Sequence, residues 1–383
     1  MSKRSSSLRL CLSALTLLGF ASACADDAVG ANQDETSTGD ETSTGDGDGD
    51  PTTTGDGDGD GDGDGDGDGD GESGLACLNM QFVNGESPGP DYTEFPNVPI
   101  GSHCMGTNAQ DITEIERVVF IGDSVTVGSP PTPTNDFYRA RLAEELASEY
   151  GLSKGNALDW ELWKTADPFN GTVVQKEAGD FASCAKWGSR NDDLVGQLND
   201  CISGGDFQQR TLVVWTSGGN DINAIAKDAT EEVPIAALFE DVESMLDHHH
   251  QALDWLLGDP DKFPNGVFVV HANVYEFTDY TADLLSCPAA DLAGYDANPP
   301  NPALLMSSLN MINERYMEMG EEYGVDVMFM FEGFCGHGFF SDDPANTCYR
   351  GPGNENWFDL TCIHPTPTGH GAIADRFFSV ITE

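Results

Sequence analysis

The sequence predicts an α/β fold, a three-layer sandwich in which helices cover both faces of a central parallel sheet. Two observations in residues 115–383 predict it. Short β-branched or aromatic runs recur there, and they are apolar on both faces, as buried parallel strands are. Segments with a helical spacing of apolar residues separate these runs, and this alternation implies parallel strands joined by crossover helices.

Nine segments make up the predicted elements. Four are buried strands: Arg117–Ile121, Thr211–Thr216, Val267–Val274 and Val325–Phe331. Five are helices: Asn135–Tyr150, Asn191–Ile202, Val233–Leu257, Pro302–Tyr323 and Pro367–Ile381. The first helix shows the evidence, because Tyr138, Leu142 and Leu146 recur every four residues and Gly151 follows. Ligands of such sheets bind outside the carboxyl ends of the strands, so functional residues are expected there.

Charge is distributed unevenly along the 383 residues, which carry 17 Lys+Arg, 66 Asp+Glu and a net charge of −49. Residues 25–73 hold 18 acidic residues and no basic one, mostly in Gly-Asp repeats. Such a segment has almost no apolar area to bury, so residues 25–74 are predicted to be a disordered linker. The repeats lack the Glu that completes an EF-hand calcium loop. The overall acidity excludes nucleic-acid binding through a basic footprint.

The first 24 residues predict export. Three basic residues precede the apolar stretch Leu10–Phe20, whose 11 residues are too few to span a bilayer. An Ala-Ser-Ala cleavage site at 21–23 and then Cys24 follow, which resembles a bacterial lipoprotein signal. That resemblance implies that residues 1–24 are a lipoprotein signal peptide, that Cys24 is lipidated, and that the protein touches a membrane of the cell envelope only through this anchor. Cleavage without lipidation, giving a secreted protein, stays open.

Eight cysteines follow Cys24, and an even number in an exported chain predicts four disulfides. The expected local pairs are Cys77–Cys104, which would staple a lead-in segment at 75–114, and Cys184–Cys201. The other four, at 287, 335, 348 and 362, allow three pairings, of which Cys287–Cys348 is preferred. No two are spaced as C-x-x-C, so no zinc site is predicted.

Residues suited to acyl transfer follow the predicted strands. Ser124 comes directly after the first strand, where its hydroxyl would be exposed at the carboxyl edge of the sheet. Asn220 follows the second strand and can donate a side-chain N–H, while Gly188 can offer a backbone N–H without a Cβ in the way. His364, near the end of the chain, can return over the sheet as a general base. A nucleophile, a base and oxyanion donors are what acyl transfer needs.

This ordered set resembles the SGNH, or GDSL-type, hydrolase family. The matching residues are Val118–Ser124, Gly188, Gly218–Asp221 and His364–Pro365 followed by Gly369, and no Gly-x-Ser-x-Gly elbow occurs. The resemblance implies a flavodoxin-like three-layer fold that hydrolyses esters without a cofactor or metal. It further implies that Ser124 is the nucleophile, that His364 is the base, and that the oxyanion hole is formed by Ser124 N–H, Gly188 N–H and Asn220.

One position departs from the family pattern. The family usually has an aspartate three residues before the histidine, and here that residue is Thr361. The nearest acid is Asp359, five residues before His364. Either Asp359 reaches Nδ1 of His364 through a different local backbone, or a main-chain carbonyl orients the ring. Asp359 is therefore an uncertain third catalytic residue.

The substrate is left open between an acyl lipid, an acylated glycan and a small ester. Segments 129–134 and 151–179 are expected to shape the acyl pocket, and no oligomer is implied. A catalytically inactive relative that serves as an acidic surface-binding or adhesion lipoprotein is the alternative function. His248-His249-His250 is predicted to be an exposed helix face rather than a metal site, because consecutive helical side chains point about 100° apart.

Overall fold

The structure, a computed structural model, describes residues 77–383 except 79, 80, 86 and 232. The predicted signal peptide, Cys24 and the linker of residues 25–74 lie outside these described residues. Among the helices of the described part, none combines the length and the apolar character that crossing a membrane would require.

Within the described residues, six strands form the central sheet, and two more form a small hairpin. The strands are β1 (Arg117–Gly122), β2 (Ala166–Asp167), β3 (Thr172–Val173), β4 (Glu177–Ala178), β5 (Phe181–Ser183), β6 (Thr211–Thr216), β7 (Val267–Ala272) and β8 (Asp326–Met328). The sheet order is β4-β5-β1-β6-β7-β8, and β2 pairs with β3. All neighbours in the sheet are parallel except β4 and β5. The prediction of an α/β fold around a mainly parallel sheet is confirmed.

Ten α-helices of the described residues flank the sheet. They are α1 (Ser124–Val127), α2 (Tyr138–Tyr150), α3 (Ala157–Lys164), α4 (Leu194–Cys201), α5 (Gly219–Thr230), α6 (Ile235–Leu257), α7 (Ala290–Ala293), α8 (Pro302–Tyr323), α9 (Met330–Phe334) and α10 (Pro367–Thr382). Helix α2 packs on α10, while α6 packs on α4, α5 and α8. Every residue of β1 and β6 is buried between these layers, which explains why both strands are apolar on both faces.

The register of β1 and β6 brings two of the predicted functional segments together. Gly122 pairs with Thr216, so the two strands end at the same level. Ser124 and Asn220 therefore leave the sheet at one edge, within a few residues of neighbouring strand ends. A parallel register of this kind is what makes the carboxyl edge of an α/β sheet the usual place for a site.

The predicted elements differ from the observed ones mainly at their ends. The segment Val325–Phe331 was predicted as one strand, but only Asp326–Met328 is a strand and α9 begins at Met330. A short run that is apolar on every side fits a buried strand and a buried helix equally well, so its pattern cannot place that boundary. Strands β2 to β5 were not predicted, since two or three residues of strand carry too little pattern, and helices α3 and α5 were not predicted either.

Four disulfides cross-link the described residues. Cys77–Cys104 and Cys184–Cys201 are present as predicted. The preferred third pair, Cys287–Cys348, is wrong: Cys287 bonds to Cys362 and Cys335 bonds to Cys348. Spacing along the chain could not decide this, because Cys287–Cys362 depends on a long-range approach of two loops. Disulfides of this number are typical of oxidising compartments.

The histidine triplet in α6 does not form an exposed face. His249 is fully buried and stacks on Tyr316, with ring centroids 4.0 Å apart. The helical period puts His249 on the same side as Met245 and Leu253, which face the core. In the described part of the chain, no group of three or more His, Cys, Asp or Glu side chains is arranged to hold a metal ion.

Candidate active site

The turn after β1 holds Ser124 at the carboxyl edge of the sheet. Gly122 has φ of +121°, and a Cβ there would lie 2.0 Å from the carbonyl oxygen of Thr216. Only glycine fits so close to the neighbouring strand. Asp123 caps α1, since its side chain accepts a hydrogen bond of 2.9 Å from Val125 N–H. Ser124 therefore starts a short helix on a backbone that has little freedom to move.

A buried glutamine joins this turn to the segment that carries Gly188. Oε1 of Gln197 accepts from Gly122 N–H at 2.6 Å, and Nε2 donates to the carbonyl of Gly122 at 3.0 Å. The same Nε2 lies 2.9 Å from Oγ of Ser189. Gln197 lies on α4 and is only 6% exposed. One side chain thus sets the spacing between the Ser124 turn and the neighbourhood of Gly188.

The predicted oxyanion donors approach the same region. Nδ2 of Asn220 donates to the carbonyl of Ser189 at 2.8 Å, which fixes the side chain on the first turn of α5. Gly188 has φ of +76°, and a Cβ there would meet no atom within 4 Å. Asn220 lines the same cavity as Ser124, and Gly188 is next to the residue that Asn220 holds. Gly188 itself is not among the residues that line this cavity, so its part in an oxyanion hole stays a prediction.

The imidazole of His364 contacts the serine directly. Nε2 of His364 lies 2.8 Å from Oγ of Ser124, although 240 residues separate the two in the chain. Nδ1 of His364 lies 2.8 Å from Oγ1 of Thr361. That hydroxyl lies 2.5 Å from Oδ1 of Asp359. Neither of the two expected contacts to Nδ1 is present, because a threonine hydroxyl lies between His364 and Asp359.

The loop that carries His364 is closed by contacts from several directions. Asp359 N–H donates to the carbonyl of His364 at 2.9 Å, and Phe358 pairs with Pro365 as an antiparallel bridge. The hydroxyl of Tyr275, just beyond β7, donates to the carbonyl of Ile363 at 2.6 Å. The Cys287–Cys362 disulfide ties the loop to a segment on the wall of the cavity. These contacts hold an irregular loop in place.

Burial controls the charges at the site. Burial lowers the pKa of His364, and the negative charge of Asp359 opposes this by raising it. Burial raises the pKa of Asp123 to about 7 and that of Asp221 to about 6. A lowered pKa keeps the imidazole of His364 neutral near pH 7, which is the form that can accept a proton.

A cavity opens beside Ser124 and Asn220. The space between its walls is about 830 Å³, including the part that is open to solvent. Its apolar lining consists of Val125, Ile222, Ala226, Val274, Phe277, Leu284, Leu305, Met306, Leu309, Met330 and Ile363. The buried carboxyl of Glu276 is also in the wall, and burial raises its pKa to about 7. Segments 129–134 and 151–179, expected to shape the acyl pocket, contribute no residue to this lining.

Three supporting residues were not found from the sequence. In the sequence Thr361 only marks the absence of the usual aspartate, although in the structure its hydroxyl contacts the ring of His364. Gln197 lies within a predicted helix, and nothing in the local sequence marks it as functional. Its hydrogen-bond partners, Gly122 and Ser189, are brought to it only by the fold. Tyr275 follows a predicted strand directly, so its position at the carboxyl edge of the sheet could have drawn attention to it.

Comparison with known proteins assigns the chain to a family. The model of the GDSL-like lipase/acylhydrolase family matches residues 120–372, which is more than half of the chain. No curated protein matches.

Solved structures with a similar chain course include three bacterial or metagenomic enzymes. The extracellular lipase of Streptomyces rimosus is 16% identical with a TM-score of 0.42, covering 69% of this chain and 99% of its own. Phospholipase A1 of Streptomyces albidoflavus is 14% identical with a TM-score of 0.42, with coverages of 69% and 99%. The lipase Lip_vut3 from a goat rumen metagenome is 13% identical with a TM-score of 0.45, with coverages of 69% and 97%. By its match to the family model, this chain belongs to the GDSL-like lipase/acylhydrolase family.

Proposed function

We propose that the protein is a serine ester hydrolase that works through an acyl-enzyme on Ser124. The observation that carries this is the contact of 2.8 Å between Ser124 Oγ and His364 Nε2, next to an apolar cavity. His364 takes the hydroxyl proton as Oγ attacks the ester carbonyl, and it then gives that proton to the leaving alcohol. Water activated by the same imidazole releases the acid and restores Ser124.

The negative charge of the tetrahedral intermediate needs donors that are already in position. Ser124 N–H, Gly188 N–H and Nδ2 of Asn220 are the proposed oxyanion hole. The bond of Asn220 to the carbonyl of Ser189 supports this role, because it holds the amide still before the substrate arrives. Preorganised donors lower the barrier since no reorganisation is needed as charge develops.

The cavity supports an ester with an apolar acyl group. Most of its wall surface is apolar and Ser124 is part of the wall, so an acyl chain bound in it would leave the carbonyl carbon near Oγ of Ser124. Burying each methylene group of such a chain contributes roughly 0.8 kcal/mol. We propose an acyl lipid or another ester with an apolar acyl chain as the substrate class, in preference to an acetylated glycan.

Export and anchoring form a separate part of the proposal. The basic start, the short apolar stretch and Cys24 support a lipoprotein that is held at the cell envelope by its lipid, with the acidic linker as a tether. The four disulfides support an oxidising location. Metabolic labelling with a fatty-acid analogue should mark the wild type and leave Cys24→Ala unmarked. Equal labelling of both would contradict the anchor.

The hydrolase proposal is tested with p-nitrophenyl esters that differ only in acyl length. We expect turnover by the wild type, with kcat/KM rising from acetyl to longer acyl groups. Ser124→Ala should lower the rate by at least about 10⁴-fold. A folded wild type that hydrolyses none of the esters would favour the alternative, an inactive surface-binding lipoprotein. A preference for acetyl esters would leave the hydrolase intact and contradict the apolar acyl chain.

A further inference from the structure

Thr361 occupies the place where the related family usually has the aspartate that orients its histidine. We propose that Thr361 is a positioning residue: its hydroxyl couples His364 to Asp359 and fixes which ring nitrogen of His364 carries the proton. This inference rests on the proposed role of His364 as the base. Thr361 has no role among the proposed nucleophile, base and oxyanion donors, and this inference gives it one.

The hydroxyl of Thr361 has a single hydrogen, and this determines the direction of its hydrogen bonds to Asp359 and His364. Oγ1 of Thr361 lies 2.5 Å from Oδ1 of Asp359 and 2.8 Å from Nδ1 of His364. An ionised carboxylate can only accept, so the single hydroxyl hydrogen points to Asp359. Only lone pairs of Oγ1 remain for the ring, and Nδ1 must therefore carry a hydrogen. Nε2 is then free to accept the proton of Ser124.

The backbone around Thr361 keeps these atoms in line. Thr361 N–H donates to the same Oδ1 of Asp359 at 2.7 Å, so this one oxygen receives both groups of the threonine. Cys362 N–H donates to the carbonyl of Asp359 at 3.1 Å. Asp359 is 9% exposed, whereas its neighbour Leu360 is 70% exposed. The carboxylate is thus turned inward and shielded, which strengthens its effect on the hydroxyl.

The same contacts stabilise the imidazolium that forms during the reaction. When His364 holds the proton of Ser124, Nδ1–H still donates to Oγ1 of Thr361, and the anion of Asp359 polarises that oxygen. The other titratable groups near the ring are His370, whose pKa burial lowers to about 3, together with Asp123 and Tyr275. His370 is neutral near pH 7, and Thr361 hydrogen-bonds directly to Asp359, so Asp359 is the charge that acts on the ring through Thr361.

The test compares Thr361→Val, Thr361→Ser and Asp359→Asn in the full disulfide-bonded protein. Valine keeps the shape and removes the hydroxyl, serine restores the hydroxyl, and asparagine keeps an acceptor oxygen without the charge. We expect kcat to fall about 10²- to 10³-fold in Thr361→Val with KM within about threefold, and to stay within about fivefold of wild type in Thr361→Ser. The acid limb of kcat/KM should move to lower pH in Thr361→Val and Asp359→Asn, but not in Thr361→Ser.

A spectroscopic measurement separates this inference from the proposed function, since it needs no turnover. Protein labelled with ¹⁵N-histidine should show a slowly exchanging Nδ1–H proton that disappears in His364→Ala and Thr361→Val and persists in Thr361→Ser. If the wild type shows this proton but hydrolyses no ester, the hydrolase proposal is contradicted, while the coupling of His364 to Asp359 through Thr361 is supported. If folded Thr361→Val keeps the Nδ1–H signal, the kcat and the acid limb of kcat/KM of the wild type, Thr361 does not couple His364 to Asp359. That result would not affect the proposal that the protein is an ester hydrolase.

Discussion

The turn that holds Ser124 and the loop that carries His364, called here the histidine loop, meet at one contact, yet they are built differently. The turn at Gly122–Ser124 lies between a buried strand and a helix, and its backbone is held by Gln197 and by the close approach of Thr216. The loop of residues 357–366 contains no helix or named strand, and it is held by an internal backbone bridge, by side-chain contacts and by the Cys287–Cys362 disulfide. One half of the site is fixed by the sheet, and the other half by cross-links.

This difference has an energetic consequence. A strand end surrounded by packed layers moves only if the core rearranges, because protein interiors are close-packed. A loop can shift at a smaller cost unless something outside its own backbone restrains it. We therefore expect changes around the loop to disturb the distance between Ser124 and His364 more than conservative changes near the turn do. Substitutions that add atoms where the sheet is close-packed are the exception, because they disturb the turn as well.

A pair of glycine substitutions tests the rigidity of the turn, with the largest expected effect. Gly122→Ala would place a Cβ 2.0 Å from the carbonyl of Thr216, which the sheet cannot accommodate. We expect more than about 4 kcal/mol of lost unfolding free energy, or no folded protein. Gly188→Ala is the matched control, because it also has positive φ but meets no atom within 4 Å. It should cost only about 1–2 kcal/mol by chemical denaturation. Equal losses would contradict the role of the Thr216 contact.

Removing a disulfide tests how the histidine loop is held. The Cys287→Ala, Cys362→Ala double variant opens a loop with a sequence separation of 75 and should lose about 4 kcal/mol of unfolding free energy. The Cys335→Ala, Cys348→Ala variant, with a separation of 13, should lose about 3 kcal/mol. Only the first should lower kcat while the protein is still folded, since Cys362 lies two residues from His364. Equal kcat values in the two variants would show that the cross-link does not position the loop.

Substitution of Asn220 tests the oxyanion hole on the turn side of the site. Asn220→Ala should lower kcat about 10²- to 10³-fold with little change in the unfolding free energy. Asn223→Ala is the matched control, since it lies one turn further along α5 and lines the same cavity. We expect that variant to keep kcat within about threefold of the wild type. Similar losses in both would mean that the cavity wall, rather than an oxyanion donor, was disturbed.

The pH dependence of the wild type gives the smallest expected effect. Burial lowers the pKa of His364 below its ordinary value of 6.5, and Asp359 only partly opposes it. The neutral, proton-accepting form therefore persists as pH falls through 6.5. We expect the acid limb of kcat/KM to reach its half-maximum below pH 6.5. A midpoint above 6.5 would mean that the charge of Asp359 outweighs burial at this ring.

The parts of the molecule that follow repeating patterns could be predicted from the sequence. Strand Thr211–Thr216 and helix Pro302–Tyr323 have the bounds that were predicted, because Ser217-Gly218 follows the strand and Pro302 and Gly324 mark the two ends of the helix. The strand-end rule also predicted that Ser124 and Asn220 lie together at the carboxyl edge of the sheet, since it depends only on where strands stop, and both line the cavity there. His364 was predicted from the chemistry that acyl transfer needs and from the family pattern, whereas periodicity gave no signal for it.

The parts that depend on long-range approach could not be predicted. The pairing of Cys287 with Cys362 and the lining of the cavity depend on how loops meet above the sheet, and local sequence carries no record of that. The same holds for Thr361, whose hydroxyl matters because the loop turns it toward His364. The threonine at position 361 shows in the sequence that the usual aspartate is missing. Which groups take its place, the hydroxyl of Thr361 and the carboxylate of Asp359, is seen only in the three-dimensional contacts.

The most direct test of the central claim is covalent labelling of Ser124 with a fluorophosphonate probe, followed by peptide mass spectrometry. The wild type should take up about one probe per protein, on the peptide that contains Ser124, and only while His364 is neutral. Ser124→Ala and His364→Ala should remain unlabelled although both stay folded. Labelling of Ser124→Ala at the wild-type level, or no labelling of the folded wild type, would contradict the assignment of Ser124 as the nucleophile.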